Sequence, residues 1–147
     1  MMIGGSIDGV LVTPLNVITT PGGNVLHGMK ADDSGYSGFG EAYFSFIGTG
    51  VIKGWKRHNE MVLNLVVPIG VVRFVIFDDR KDSNTLNNYQ EISLSQDNYK
   101  RLTVPPMVWM AFQGVGQQEN MLLNVASIPH EPYESDLKPL EELPFTW

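Results

Sequence analysis

Between Gly50 and His58 the chain reads GVIKGWKRH, which sets Lys53, Lys56 and Arg57 beside one of only three histidines in the sequence. Side chains on a strand alternate between faces, so Lys56 and His58, two residues apart, point the same way, and Gly54 leaves room beside them. On the inner face of a barrel they would place an amine and an imidazole in one cavity. Burial favours the neutral, basic form of an amine, and an imidazole titrates near neutrality, so the pair could move protons. The same residues could instead be the solvated end of a strand, and the spacing alone leaves both readings open.

Other chemistries are thinly represented. His58-Asn59-Glu60 offers one nitrogen and one carboxylate, and His27 and His130 lie far off, so no metal site is expected. No cofactor is expected either: a nucleophile elbow, a phosphate-binding glycine loop and a dinucleotide fingerprint are all missing. The glycines of TPGGNV and QGVGQQ lack a strand-to-helix context and read as turn glycines. His130 sits in PHEPYES with Glu131 and Glu134 close by; such carboxylates could orient an active-site histidine, or the cluster could be a solvated tail. Cysteine is absent, which removes disulfides, thiolate ligands and cysteine nucleophiles together.

A net charge of -6 argues against nucleic acid as a partner, because neutralising a phosphate backbone takes clustered Lys and Arg. Local cations can still hold a small phosphorylated ligand. The apolar run Met61 to Phe77 is interrupted by Asn64, Pro68, Gly70 and Arg73, so no membrane span is expected and the run reads as two strands and a turn. The start MMIGGSIDG lacks the pattern of an export signal, and with no cysteine a cytoplasmic location is expected.

The elements that must position these residues are strands. Ten segments of high β-propensity recur at short spacing: GVLVTPLNVIT, GNVLHGMK, EAYFSFIG, GVIKGWKRH, MVLNLVVPIG, VVRFVIFDD, YQEISLS, KRLTVPP, WMAFQGV and NMLLNVAS. They predict an all-β barrel in one domain, 1–147, with a core fed by Val51, Leu63, Leu65, Val67, Val72, Phe74, Ile76, Leu94, Leu102, Val104 and Phe112. Pro68-Ile69-Gly70 predicts a turn that folds the flanking strands back on each other. FDDRKDSNTLNNYQ reads as a polar excursion too rich in Asp and Asn to be buried. Short helical turns fit DSGYSGFG and PYESDLKPL. The acidic, proline-rich tail ends on Phe145 and Trp147, which predicts that it wraps the barrel and docks its aromatics.

Two blocks resemble a known family. FGEAYFSFIGTGVIKGWKRH, Phe39 to His58, lies without a gap on the segment of the dTDP-4-dehydrorhamnose 3,5-epimerases that leads from a nucleotide-binding strand into the active-site strand. Ser45, Gly50, Val51 and Gly54 match there. VVRFVIFDDRKDSNTLNNYQEISLSQDNYKRLTVPP resembles the family's core hairpin through Asp78, Arg80, Ser83, Thr85, Leu94, Ser95, Asn98, Pro105 and Pro106. The resemblance implies a jelly-roll β-barrel of the cupin type, a nucleotide sugar as small-molecule ligand, and a homodimer paired through its sheets.

The departures fall on the chemistry. Such epimerases take a proton next to a C4 ketone with a histidine, hold the enolate with a cation and reprotonate from a tyrosine on the opposite face. Here the histidine position is Lys56, the cation position Leu63, a second histidine Met110, and the tyrosine falls near Leu123. The resemblance also sets Lys53 where an arginine holds the substrate phosphates, Glu41 and Tyr43 where a glutamine and an asparagine face the nucleotide, and Ser45 on the family serine. Two functions are therefore expected as competitors. One is a nucleotide-sugar epimerase or isomerase of surface-polysaccharide or deoxysugar synthesis, with Lys56 and His58 as proton-handling groups; the sugar-nucleotide 3,4-ketoisomerases are a neighbouring option. The other is a binding cupin that keeps the pocket and has lost catalysis.

Overall fold

The computed structural model of the chain describes residues 2–3 and 5–147. Its strands in chain order are β1 (Met2–Ile3), β2 (Leu11–Pro14), β3 (Val17–Ile18), β4 (Val25–Leu26), β5 (Glu41–Phe46), β6 (Ile52–His58) and β7 (Leu63–Ile69). There follow β8 (Val72–Phe77), β9 (Asn88–Leu94), β10 (Lys100–Val104), β11 (Trp109–Gly114), β12 (Met121–Ala126) and β13 (Ser135–Leu137), then a single 3-10 turn, Leu140–Glu142. One sheet runs β1-β9-β8-β11-β6-β13 and the other β2-β10-β7-β12-β5, with β3 and β4 as a separate hairpin. Pairing is antiparallel except between β1 and β9. The two sheets pack face to face as a jelly roll of the cupin type. No helix among the described residues is long and apolar enough to cross a membrane.

Strand alternation explains where the core sits. Leu63, Leu65 and Val67 of β7 face Val72, Phe74 and Ile76 of β8 across the sandwich, joined by Leu94, Leu102 and Val104. Each such side chain contributes about 1.5–3 kcal/mol when fully withdrawn from water. The outer face of β8 carries Val75 and Phe77 beside Arg73, because a second cluster covers it. There Val75 packs with Trp55, Tyr89, Trp109 and Ala111 beneath Leu143 and Phe145 of the tail, with Trp147 alongside. Arg73 lies over the rings of Phe145 and Trp147, at 5.4 and 5.3 Å from their centroids.

Several expectations are corrected. Val51 precedes β6 and is half exposed rather than core, and Phe112 is only partly buried against the core. The Pro68-Ile69-Gly70 turn forms, with Gly70 at φ 77°. A side chain on Gly70 would clash with Asn120 Oδ1 and the Glu119 carbonyl. The flanking strands do not pair, however; the turn hands the chain from one sheet to the other. DSGYSGFG forms turns without helix, and PYESDLKPL supplies the edge strand β13. Asp78, opening the polar excursion, is fully buried, since Arg80, Ser83 and Thr85 fold back onto its carboxylate.

Candidate active site

A cavity of about 250 Å³ opens between the two sheets. One wall comes from β6 and β11 and presents Lys53, Lys56, His58, Met110 and Phe112; the other comes from β5, β7 and β12 and presents Tyr43, Ser45, Leu63, Leu65, Leu122 and Asn124. Lys56 and His58 share the inner face, as alternation requires. Lys53, three residues before Lys56, would point outward on a regular strand. It faces inward because the β6–β11 register shifts: Met110 opposes Lys56 while Phe112 opposes Lys53, so Gly54 and Trp55 together face Ala111. This bulge turns Trp55 into the outer aromatic cluster and keeps three consecutive inward positions basic. The backbone of Gly54 lines the cavity, but a side chain there would point at Lys138 O, 3.7 Å away, and at Leu140, rather than beside Lys56.

His58 is the best-supported side chain of the site. Its Nδ1 lies 2.6 Å from Glu134 Oε1, and the other carboxylate oxygen accepts the amides of Glu60 and Met61, each at 2.8 Å. Glu134 is buried. Burial alone would raise its pKa, but the His58 hydrogen bond and the two amides outweigh it and hold the carboxyl below its usual 4.5. An ionised carboxylate only accepts, so the neutral imidazole carries its proton on Nδ1 and keeps the Nε2 lone pair free. Glu134 reaches this place because β13 pairs with β6, Ser135 opposite His58.

The remaining cations are arranged differently. Lys56 makes no ion pair among the described residues. Lys53 Nζ donates to Ser45 Oγ at 3.2 Å and to the Phe46 carbonyl at 3.0 Å, tying β6 to β5 near the mouth. Tyr43 faces inward with its hydroxyl bonded by Asn124 Nδ2 at 3.0 Å. Glu41 opens β5 on the same face but does not line the cavity. His130 is exposed; the carboxylate expected to orient it, Glu134, serves His58 instead. Among the described residues no three His, Asp or Glu side chains converge as metal ligands. A wider depression of about 400 Å³ under the β3–β4 hairpin is floored by Arg101, whose guanidinium is committed to the carbonyls of Gly28 and Ser34 and to Asp33.

No family model matches the chain. A dTDP-4-dehydrorhamnose 3,5-epimerase from Bacillus anthracis, solved with TDP and PPi bound, shares the fold at TM-score 0.83 and 18% identity, over 95% of this chain and 85% of that one. A dTDP sugar isomerase from Desulfovibrio desulfuricans G20 superposes at TM-score 0.93 with 35% identity, over 96% of this chain and 92% of that one. The chain belongs to the dTDP-4-dehydrorhamnose 3,5-epimerase family. Among curated relatives, the "Probable low-salt glycan biosynthesis epimerase Agl13" of Haloferax volcanii is 27% identical over 95% of this chain and 89% of its own length. Lys56 and His58, two residues apart on β6, both line the cavity. What sequence reasoning missed is that Glu134 partners His58; the one signal available was its place with Glu131 near His130, which pointed to the wrong histidine.

Proposed function

We propose that this protein is a nucleotide-sugar epimerase or isomerase acting on a 4-keto-deoxysugar nucleotide by keto–enol proton transfer, in surface-polysaccharide or deoxysugar synthesis. The observation that carries this reading is the His58–Glu134 pair on the wall of a cavity between the sheets. His58 Nε2 takes the proton from the carbon beside the ketone, and Glu134 stabilises the imidazolium that forms. The released electron pair moves onto the carbonyl oxygen, where Lys56, which makes no ion pair among the described residues, holds the enolate charge. Lys53 and Ser45, at the mouth, hold the diphosphate, Lys53 as a point charge without the bidentate fork of an arginine. Tyr43 stands toward the nucleotide end, whereas Glu41 lies outside the cavity lining and is left to contacts at the rim. The apolar floor of Leu63, Leu65 and Leu122 keeps water from the reacting carbon.

The test is a dTDP-linked 4-keto-6-deoxyhexose incubated in heavy water. The expected result is deuterium incorporation next to the ketone. Binding detected by thermal shift with no exchange at any position overturns the enzyme reading in favour of a catalytically inactive binding cupin.

The same reading makes the protein a cytoplasmic homodimer. On the outside of the second sheet, cross-strand rows place Phe44 beside Leu123, and Phe46 beside Met121 and then Ile69. Phe44 is 63% and Phe46 57% exposed, an apolar band of the kind that a second copy covers. Light scattering should give twice the 16.4 kDa chain mass, and Phe44→Asp should give the monomer.

A further inference from the structure

We propose that Leu137 is a specificity-determining residue: it contacts the substituent on a carbon next to the ketone and selects a methyl group there, as a 6-deoxy sugar carries. This rests on the epimerase reading above. Leu137 closes β13, the edge strand that follows directly on Glu134, and it lines the same cavity as Lys56 and His58.

Register sets its direction. Directly opposed residues of an antiparallel pair share a face, and β13 sets Ser135 against His58 and Leu137 against Lys56. Asp136, between them, points to the outer face, where its carboxylate accepts from Arg57 Nη2 at 2.9 Å. On the other side of β6, Met110 opposes Lys56. The lysine therefore stands in a row Met110–Lys56–Leu137, with an apolar side chain on either hand. The two flanks differ in exposure. Met110 is 9% exposed and packed in the core, and Leu63, Leu65 and Leu122 on the facing wall are buried, so none of them has much surface left to withdraw from water. Leu137 is 73% exposed. It is the aliphatic residue of the lining whose hydration an incoming ligand can change most.

Lys56 fixes which part of the sugar lies beside Leu137. With the carbonyl oxygen at the ammonium, the two carbons bonded to the carbonyl carbon fall alongside, one on each hand. In a 4-keto-6-deoxyhexose one of them carries a hydroxyl and the other a methyl. Against leucine the hydroxyl would lose its water without gaining a hydrogen bond, whereas the methyl exchanges water for hydrocarbon. The favoured pose turns the methyl to Leu137. A sugar without that methyl leaves the leucine wet and the ring free to take other poses, so the contact is felt in kcat/KM.

The experiment measures kcat/KM for deuterium uptake beside the ketone on two dTDP-linked sugars, the 4-keto-6-deoxyhexose and the 4-keto-pentose that lacks only the methyl carbon. The proteins are wild type, Leu137→Ala and Leu137→Met. Leu137 belongs to neither core cluster, so the variants fold, which their melting temperatures verify. The expected result is that wild type prefers the methyl-bearing sugar by about 10–200-fold, the usual worth of one methylene in an apolar site. Leu137→Ala should remove most of that preference by slowing the deoxyhexose alone, and Leu137→Met, which conserves volume, should keep it. A wild type that handles both sugars equally overturns the proposal, as does an unchanged preference in Leu137→Ala. So does an equal loss on both sugars, which would make Leu137 a cover for the cavity with no part in selecting the substituent. Those outcomes leave the epimerase reading standing, because exchange still occurs. Absence of exchange on both sugars in wild type overturns that reading and this inference together.

Discussion

Asp78 and Glu134 are both buried carboxylates held ionised by hydrogen bonds, yet they do opposite things. Burial pushes each pKa up, and for Asp78 the bonds from Arg80, Ser83 and Thr85 drive it far below the usual carboxylate range. All those partners lie within seven residues, and one is a permanent cation. The carboxylate closes its own loop and has no proton to give or take. Glu134 is bound instead by groups 73 to 76 residues away, and its one ionic partner is an imidazole on a cavity wall. A fixed counter-charge makes a staple, whereas a histidine partner suits the proton relay proposed for His58.

Removing the relay should have the largest effect. His58→Ala is expected to slow hydrogen exchange on a 4-keto nucleotide sugar by roughly 10²–10⁴, with a smaller loss of stability than the Asp78 change because Glu134 keeps the Glu60 and Met61 amides. The staple should behave in the reverse manner. Asp78→Ala leaves Arg80 without its partner and should destabilise the fold by about 3–5 kcal/mol in denaturant titration, with the remaining folded protein exchanging hydrogen at the wild-type rate. If Asp78→Ala lowers that rate in the folded fraction, the division between the two carboxylates breaks down.

Glu134→Gln sharpens the contrast. An amide still accepts from the Glu60 and Met61 N–H groups, so stability should fall little, but the charge-assisted bond to the imidazole is gone. A loss of about 1.5–3 kcal/mol in that bond predicts a roughly 10–150-fold slower kcat. The smallest effect is on acid stability. Both carboxyls have folded pKa values below their unfolded ones, so the stabilisation they contribute is fully present above about pH 4.5 and is lost as pH falls through the folded values. Urea midpoints measured from pH 6 downward should therefore decline, and Glu134→Gln should make the decline shallower.

The strands were legible because each buried face repeats at every second residue, and the Asp78 loop was recognisable because its partners are local. Burial of Asp78 itself was not, since a run of Asp and Asn reads as solvated unless the fold-back of Arg80 is foreseen. Lys56 and His58 followed from alternation, but the inward turn of Lys53 depended on a bulge that a lone strand glycine, Gly54, only hints at. Glu134 was hidden for a different reason. Its neighbour in sequence is His130, and only the pairing of β13 with β6 brings it to His58.

That pairing also sets a schedule for synthesis. Glu134 follows His58 by 76 residues, and at about 5–20 residues per second a ribosome needs roughly 4–15 s to make them. Throughout that interval β6 has a bare edge, and Trp55 lacks the tail that covers it. The nascent chain thus carries a sticky, half-built sheet for seconds before the segment that caps it, and that completes the histidine pair, leaves the exit tunnel.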